Sequence, residues 1–327
     1  MQIRNTFIVA TTMVMLTAAL AGCNREDSSQ IAGAPAKKTL GVTLPNLTNP
    51  YYVAMKKSFE DNGAAQGFNV KVSIADNDDA KQLSQVQSLV QQKVDAVAVN
   101  CVSSGPCVAV IGELNRAKIP AFTINLLPDI DGMKQQGVSV VQGVQTDQAE
   151  GGHYIGEQLV KDLGPDGKAV IGIVGEPTSI SANARDDGFK QAIASNPNLK
   201  VVALVNGKVE ETTSLKVTTE MLQGNPEMTV VFSDTEPSAL GAAAAIEQLG
   251  KKGNVQLYSF VDKEGVKRIE DNSILKAGAI QEPVKLASLL VDSVKKHFAG
   301  ETLPPLLNSP PLLVNKDNAP KVIDAAY

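Results

Sequence analysis

Asn49-Pro50-Tyr51-Tyr52 sets a carboxamide before two phenol rings, and Arg185-Asp186-Asp187 sets a guanidinium beside two carboxylates. Asn100 closes the apolar run Ala96-Val97-Ala98-Val99, and Gln281 stands between Ile280 and Glu282. Arg supplies a rigid fork of donors, Asp a two-oxygen acceptor, and Asn or Gln one group of each kind. Each of these residues also has a purely structural use. Asn49 can cap a helix, one of the tyrosines can pack into a core, Asn100 can satisfy the loop that follows it, and Arg185 can pair with Asp186 or Asp187. Catalytic spacings are missing: there is no G-x-S-x-G elbow, no Walker A loop and no H-E-x-x-H. The two histidines are His153, on an expected helix, and His297, at a Lys-rich helix end where a cation suits the dipole. Pairs such as Asp78-Asp79 cap helices or solvate a face. Catalysis is therefore not expected, nor a metal site. The net charge of -5 leaves no footprint for nucleic acid, and a chain without Trp cannot build a large aromatic cage.

The N-terminus carries a separate signal. Arg4 precedes residues 7–21, which are apolar or small and uncharged. That length suits the apolar core of a signal peptide better than a spanning helix, which needs about 20 residues. It ends in Leu20-Ala21-Gly22-Cys23, which resembles the bacterial lipobox, whose Cys is acylated and becomes the mature N-terminus. The alternative is an ordinary secretory peptide with a chance Cys. Residues 1–23 are thus expected to be a lipoprotein signal peptide with Cys23 lipidated. Two or more acyl chains would anchor the protein stably to a membrane. Residues 24–38 have linker composition and are expected to be a flexible tether. Export to an oxidising compartment would leave Cys101 and Cys107 as two thiols separated by a short loop. A disulfide between them is one reading, two buried small residues or a labile metal site the others.

From residue 39 onward short β-branched runs alternate with longer helical patterns. The spacing predicts strands at 39–44, 70–75, 96–100 and 121–126, with helices at 50–66, 80–92 and 108–117 between them. The rhythm restarts with strands at 138–144, 169–174, 201–205, 229–233, 255–261 and 275–280. Their helices fall at 149–163, 184–194, 212–222, 238–249 and 284–298. Such alternation indicates βαβ units and parallel sheets. The fold class expected is α/β, with two doubly wound parallel-sheet domains, which bind ligands beyond the carboxyl ends of their strands.

At those strand ends the chain resembles the ribose-type periplasmic sugar-binding proteins, type I solute-binding proteins of ABC transporters. The likeness is carried by Asn49-Pro50-Tyr51-Tyr52, by Val94-Asp95-Ala96-Val97-Ala98-Val99-Asn100, and by Asp147 with Gly151-Gly152. It continues through Ser181-Ala182-Asn183-Ala184-Arg185-Asp186-Asp187-Gly188-Phe189, Val231-Phe232-Ser233-Asp234 and Gln281-Glu282-Pro283. It covers residues 39–315. The resemblance implies two lobes joined by three crossings, near 143–145, 281–282 and 309–311. Lobe one would be 39–144 plus 282–310, and lobe two 145–281 plus 311–327.

The resemblance also implies site residues. Asn49 would bind a ligand hydroxyl, Tyr51 and Tyr52 would wall the cleft, Asn100 would point into it, Arg185 would reach the ligand, and Gln281 would bind ligand or brace the hinge. Several positions depart from the family. Asn125-Leu126 stands where ribose-type members carry Asp-Arg. Thr235 replaces an Asn, and Asp262 is an acid displaced by one residue. The lobe-two aromatic wall is missing where the chain reads Gly207-Lys208-Val209-Glu210. These changes argue against ribose and for a less densely hydroxylated or differently shaped ligand.

The function so implied is extracytoplasmic capture of a small polar ligand, a sugar or polyol, by a monomer that needs no cofactor. Delivery would be to an ABC transporter permease and its ATPase. The same cleft would also serve a ligand-sensing lipoprotein that docks on a membrane receptor or sensor kinase. A hydrolase is the remote third reading.

Overall fold

The computed structural model describes residues 37–271 and 273–323. The expected signal peptide, Cys23 and residues 24–36 of the expected tether lie outside the described residues. Lys38, the last residue of that segment, is tied to the body: its ammonium lies 3.4 Å from Asp95 and 4.3 Å from the centre of the Phe298 ring.

Six strands make the first sheet. In chain order the first half runs β1 (Thr39–Leu44), α1 (Pro50–Ala65), β2 (Asn69–Ile74), α2 (Asp79–Gln91) and β3 (Ala96–Val99). It continues through α3 (Ser104–Arg116), β4 (Ala121–Ile124), α4 (Ile130–Gln136) and β5 (Gln142–Thr146). The second half runs α5 (Gln148–Leu163), β6 (Ala169–Gly175), α6 (Ile180–Ile193), β7 (Leu199–Asn206), α7 (Glu211–Gly224) and β8 (Val230–Ser233). It ends with α8 (Glu236–Gln248), β9 (Gln256–Val261), α9 (Lys263–Glu270) and β10 (Leu275–Ile280). After these come α10 (Pro283–Phe298), β11 (Leu306–Ser309), β12 (Leu312–Asn315) and α11 (Ala319–Val322).

The sheets order as β2-β1-β3-β4-β5-β11 and β7-β6-β8-β9-β10-β12. Every neighbouring pair is parallel except β10 with β12. Each order reverses direction after its first strand, which opens a crevice at the carboxyl ends of the central strands. Helices on both faces bury β3, β4 and β8 completely, and this is why those strands read as unbroken apolar runs. Helix starts are set by short polar side chains: Asn49, Asp78, Asp129, Asp147, Ser179 and Asp262 each accept a backbone N–H of their own first turn.

The chain leaves the first sheet after β5, returns to it between β10 and α10, and leaves again between β11 and β12. Residues 143–145, near which the first crossing is expected, lie within β5, where all three pair with β11 and Gly143 and Val144 also pair with β4. The strand continues to Thr146, and Asp147 then caps α5 in the second lobe. Helices α4, α9 and α11 and strands β11 and β12 lie where no element is expected from the sequence. They are short, and prolines bracket the two strands.

Helix α10 returns to pack on α1, with the Ser58 hydroxyl donating to the Val284 carbonyl at 2.7 Å. In the second lobe α5 and α6 touch backbone to backbone. A Cβ on Gly152 would stand 1.9 Å from the Arg185 carbonyl oxygen, and one on Gly188 would stand 1.9 Å from that of Ala149. Cys101 and Cys107 are joined by a disulfide across the turn between β3 and α3, and both are buried. Among the described residues no helix is long and apolar enough to cross a membrane.

Candidate functional site: a cleft between the two sheets

The carboxyl ends of strands from both sheets border one cavity of about 460 Å³. That volume is in the range of small-molecule sites. Asn49, Tyr51, Tyr52 and Asn125 line it from the first lobe. Arg185, Thr235 and Asp262 line it from the second, and Gln281 lines it at the crossing.

The first-lobe wall is tied together from within. The Asn49 side chain caps α1 by accepting the Tyr51 N–H at 2.9 Å. The Tyr51 hydroxyl donates to the Asn125 carboxamide oxygen at 3.0 Å. The two tyrosine rings meet edge to face at 5.3 Å. Asn125 has a φ of 65°, a left-handed conformation that Asn tolerates better than most residues. Its neighbour Leu126 also lines the cavity.

Asn100 is not in this wall. It is fully buried; its side-chain Nδ2 lies 3.5 Å from the Met55 sulfur, and its Oδ1 has no partner among the described residues. Asn100 therefore does not line the cavity, although the sequence places it at the cleft. Its backbone carbonyl instead accepts from Gln82, a buried carboxamide that also donates to Thr43 and accepts from Val102 N–H.

Arg185 is the centre of the second wall. Its Nε donates to Gln148 Oε1 and its Nη1 to the Asp234 carbonyl, both at 2.7 Å. The guanidinium lies 4.2 Å from the centre of the Phe260 ring. Asp187 pairs with Lys190 instead. Gln148 Nε2 donates in turn to Gln281 Oε1 at 3.1 Å, so one chain of contacts joins α6, α5 and the crossing.

Gln148, Phe260, Val209 and Glu236 also line the cavity and were not singled out as ligand contacts from the sequence. Phe260 reads as a core residue because it ends an apolar strand. Gln148 had a signal in its place, directly after a helix cap at a lobe crossing. Val209 follows Lys208, and both have positive φ near 54°, an uncommon conformation for a β-branched residue and one often found at binding sites. Glu236 Oε2 accepts the backbone N–H groups of Asp262 and of Gly265, the latter at 3.2 Å. It thereby pins the loop that carries Asp262.

Two further carboxyls lie under this wall. Asp186 and Asp234 are buried, and each has one oxygen without a partner among the described residues. Asp234 also accepts the Glu176 N–H at 2.7 Å. Burial, and next the charge of Asp234, push the Asp186 carboxyl up to about 7. Burial raises Asp234 as well. Burial also pushes Glu236 up to about 9, helped by its side-chain hydrogen bond with Asp262.

Residues 40–302 match the family described as periplasmic binding protein domain. The ribose import binding protein RbsB of Bacillus subtilis is 28% identical over 280 residues, covering 85% of this chain and 88% of that protein. The fold is shared with a solute-binding protein from Actinobacillus succinogenes solved with bound D-allose. There the TM-score is 0.79 at 22% identity, over 87% of this chain and 100% of the other. It is shared also with one from Bacillus halodurans solved with myo-inositol, with a TM-score of 0.76 at 24% identity over 90% and 99% of the two chains.

The buried carboxyls of the second lobe set a pH dependence that needs no ligand. A carboxyl that titrates near 7 when folded and near 4 when unfolded holds its proton more tightly in the folded state. Stability therefore falls as pH rises from about 4 to about 7, and the loss is complete above that. Glu236 extends the fall towards 9. Asp186→Asn removes the first part. Its melting temperature should exceed that of the parent at pH 8 by on the order of 5 °C, with the gap shrinking by pH 5. Thermal melts of both proteins across this range check it, and a gap that does not change with pH would contradict it.

Proposed function

The chain belongs to the periplasmic binding protein domain family, and from that membership we propose that it captures a small sugar or polyol between its lobes and hands it to an ABC transporter permease coupled to its ATPase. The observation that carries this reading is the convergence of Asn49, Tyr51, Tyr52, Asn125, Arg185, Asp262 and Gln281 on one cavity from the strand ends of two separate sheets. A sugar offers hydroxyls at its edges and C–H groups on its faces. Carboxamides, a guanidinium and a carboxylate suit the edges, and the Tyr51, Tyr52 and Phe260 rings suit the faces. Relatives of this fold solved with D-allose and with myo-inositol support the ligand class.

The work of the protein is conformational. Each lobe supplies part of the contact set, so a ligand that touches both favours the state in which they are closest. It shifts that balance only by its difference in affinity between the open and closed states. The site acts as a monomer, and nothing in its chemistry calls for a cofactor. Residues 7–21 and the Leu20-Ala21-Gly22-Cys23 motif support export and a lipid anchor at Cys23. A Cys23→Ser chain would then leave the membrane fraction, and its retention there would contradict the anchor.

Thermal-shift screening of the mature protein against pentoses, hexoses, polyols and cyclitols tests the reading. A ligand present at 100 times its dissociation constant adds about 2.7 kcal/mol of stability. Asn49→Asp keeps the acceptor that caps α1 but loses the amide donor. It should weaken the best ligand about tenfold or more while leaving the unliganded melt close to the parent's. No shift with any carbohydrate would overturn the ligand class.

A further inference from the structure

The two walls of the cleft differ in kind. Every formally charged side chain that lines the cavity (Arg185, Glu236, Asp262) belongs to the second lobe. The first lobe presents Asn49 and Asn125, the rings of Tyr51 and Tyr52, Pro50 and the alkyl chain of Leu126.

The polar groups of that first wall are partly spent. Asn49 Oδ1 already accepts the Tyr51 N–H, and Asn125 Oδ1 already accepts the Tyr51 hydroxyl. What these carboxamides chiefly offer a ligand is their N–H donors. A ligand hydroxyl facing this wall could accept from them but would find no carboxylate to donate to. Leu126 is held in this position by the lobe itself. It packs against the buried cluster around Val97, Val99 and Ile111 and follows Asn125, whose left-handed backbone turns the chain at the strand end. The second wall is also partly engaged, since Asp262 Oδ1 accepts the Glu264 N–H and Arg185 donates to Gln148 and the Asp234 carbonyl, but it alone brings charged groups, the Asp262 carboxylate and the Arg185 guanidinium, to the cavity.

We propose that the ligand is a carbohydrate with one hydroxyl-rich edge and one edge lacking a hydroxyl, a deoxy sugar or deoxycyclitol whose bare carbon lies against Leu126 in the first lobe. This rests on the reading of the cleft as a carbohydrate site. The hydroxyl-rich edge faces Arg185 and Asp262, and the deoxygenated edge meets alkyl and aromatic surface. A hydroxyl restored at that carbon would be desolvated without a full set of partners. An apolar wall of this kind discriminates against one added hydroxyl by up to about 100-fold.

Calorimetric titration of the unmodified protein with matched pairs tests this. The pairs are D-ribose with 2-deoxy-D-ribose, D-glucose with 2-deoxy-D-glucose, D-galactose with D-fucose, and myo-inositol with a mono-deoxyinositol. In at least one pair the deoxy member should bind about tenfold tighter or more. Leu126→Asn, which places a donor and an acceptor on that wall, should erase or reverse the preference in the same pair. Binding in which the fully hydroxylated member is equal or tighter in every pair would overturn the inference and leave carbohydrate capture standing. Silence from all eight compounds would overturn carbohydrate capture itself, and this inference with it.

Discussion

A buried guanidinium is the constraint around which the second lobe is built. Arg185 is only 8% exposed. Taking such a charge out of water costs several kcal/mol unless hydrogen bonds and opposing charge or polarisable surface replace the lost hydration. Gln148, the Asp234 carbonyl and the Phe260 ring do so from three different elements. The Gln148 contact brings α5 against α6, and there the two helices lie backbone against backbone. Gly152 and Gly188 permit that approach, because a Cβ at either would overlap a carbonyl oxygen. The path from sequence to site therefore runs through two glycines far from any ligand chemistry. They bring α5 against α6, Gln148 against Arg185, and the guanidinium to the mouth of the cleft in a fixed pose.

The electrostatics of that lobe follow from the same crowding. Asp186 and Asp234 sit beside Arg185 without full hydrogen bonding, and Glu236 is spent on the Asp262 loop. Burial favours the neutral form of each of these acids. The wall is thus less anionic at neutral pH than its composition suggests, and Arg185 stands out more strongly as a donor. The first lobe carries no comparable charge in the cleft. Its polarity is set by carboxamides and phenols, of which the Tyr51 hydroxyl already donates to Asn125. A ligand that fits both walls must itself be two-sided.

Much of this was legible in the sequence, and the physical reasons for the gaps are specific. Strands buried on both faces announce themselves as β-branched runs, so β1, β3, β6, β8 and β9 could be read directly. Helix starts were marked by their own capping residues. Residues at strand ends beside turn chemistry could be placed near a cleft because parallel sheets bind there. Asn100 misled because it ends a strand as the others do. Its side chain is buried beside Met55 of α1, and no local pattern carries that information. Gln148 was missed because its partner Arg185 lies 37 residues further on. The first crossing was placed early because β5 gains its last pairs from β11, which is far away in sequence and too short to show a period of its own.

The measurement that bears most directly on this account is the affinity of Arg185→Lys for the best ligand of the parent protein, read by calorimetry beside the melting temperature of the unliganded variant. Lys keeps the charge but loses the planar fork that engages Gln148 and the Asp234 carbonyl while lying over Phe260. If the preset guanidinium governs capture, affinity should fall by roughly 10- to 100-fold with the variant still cooperatively folded. Affinity unchanged in a well-folded Arg185→Lys protein would contradict the account, because a mobile point charge would then serve as well as the anchored fork.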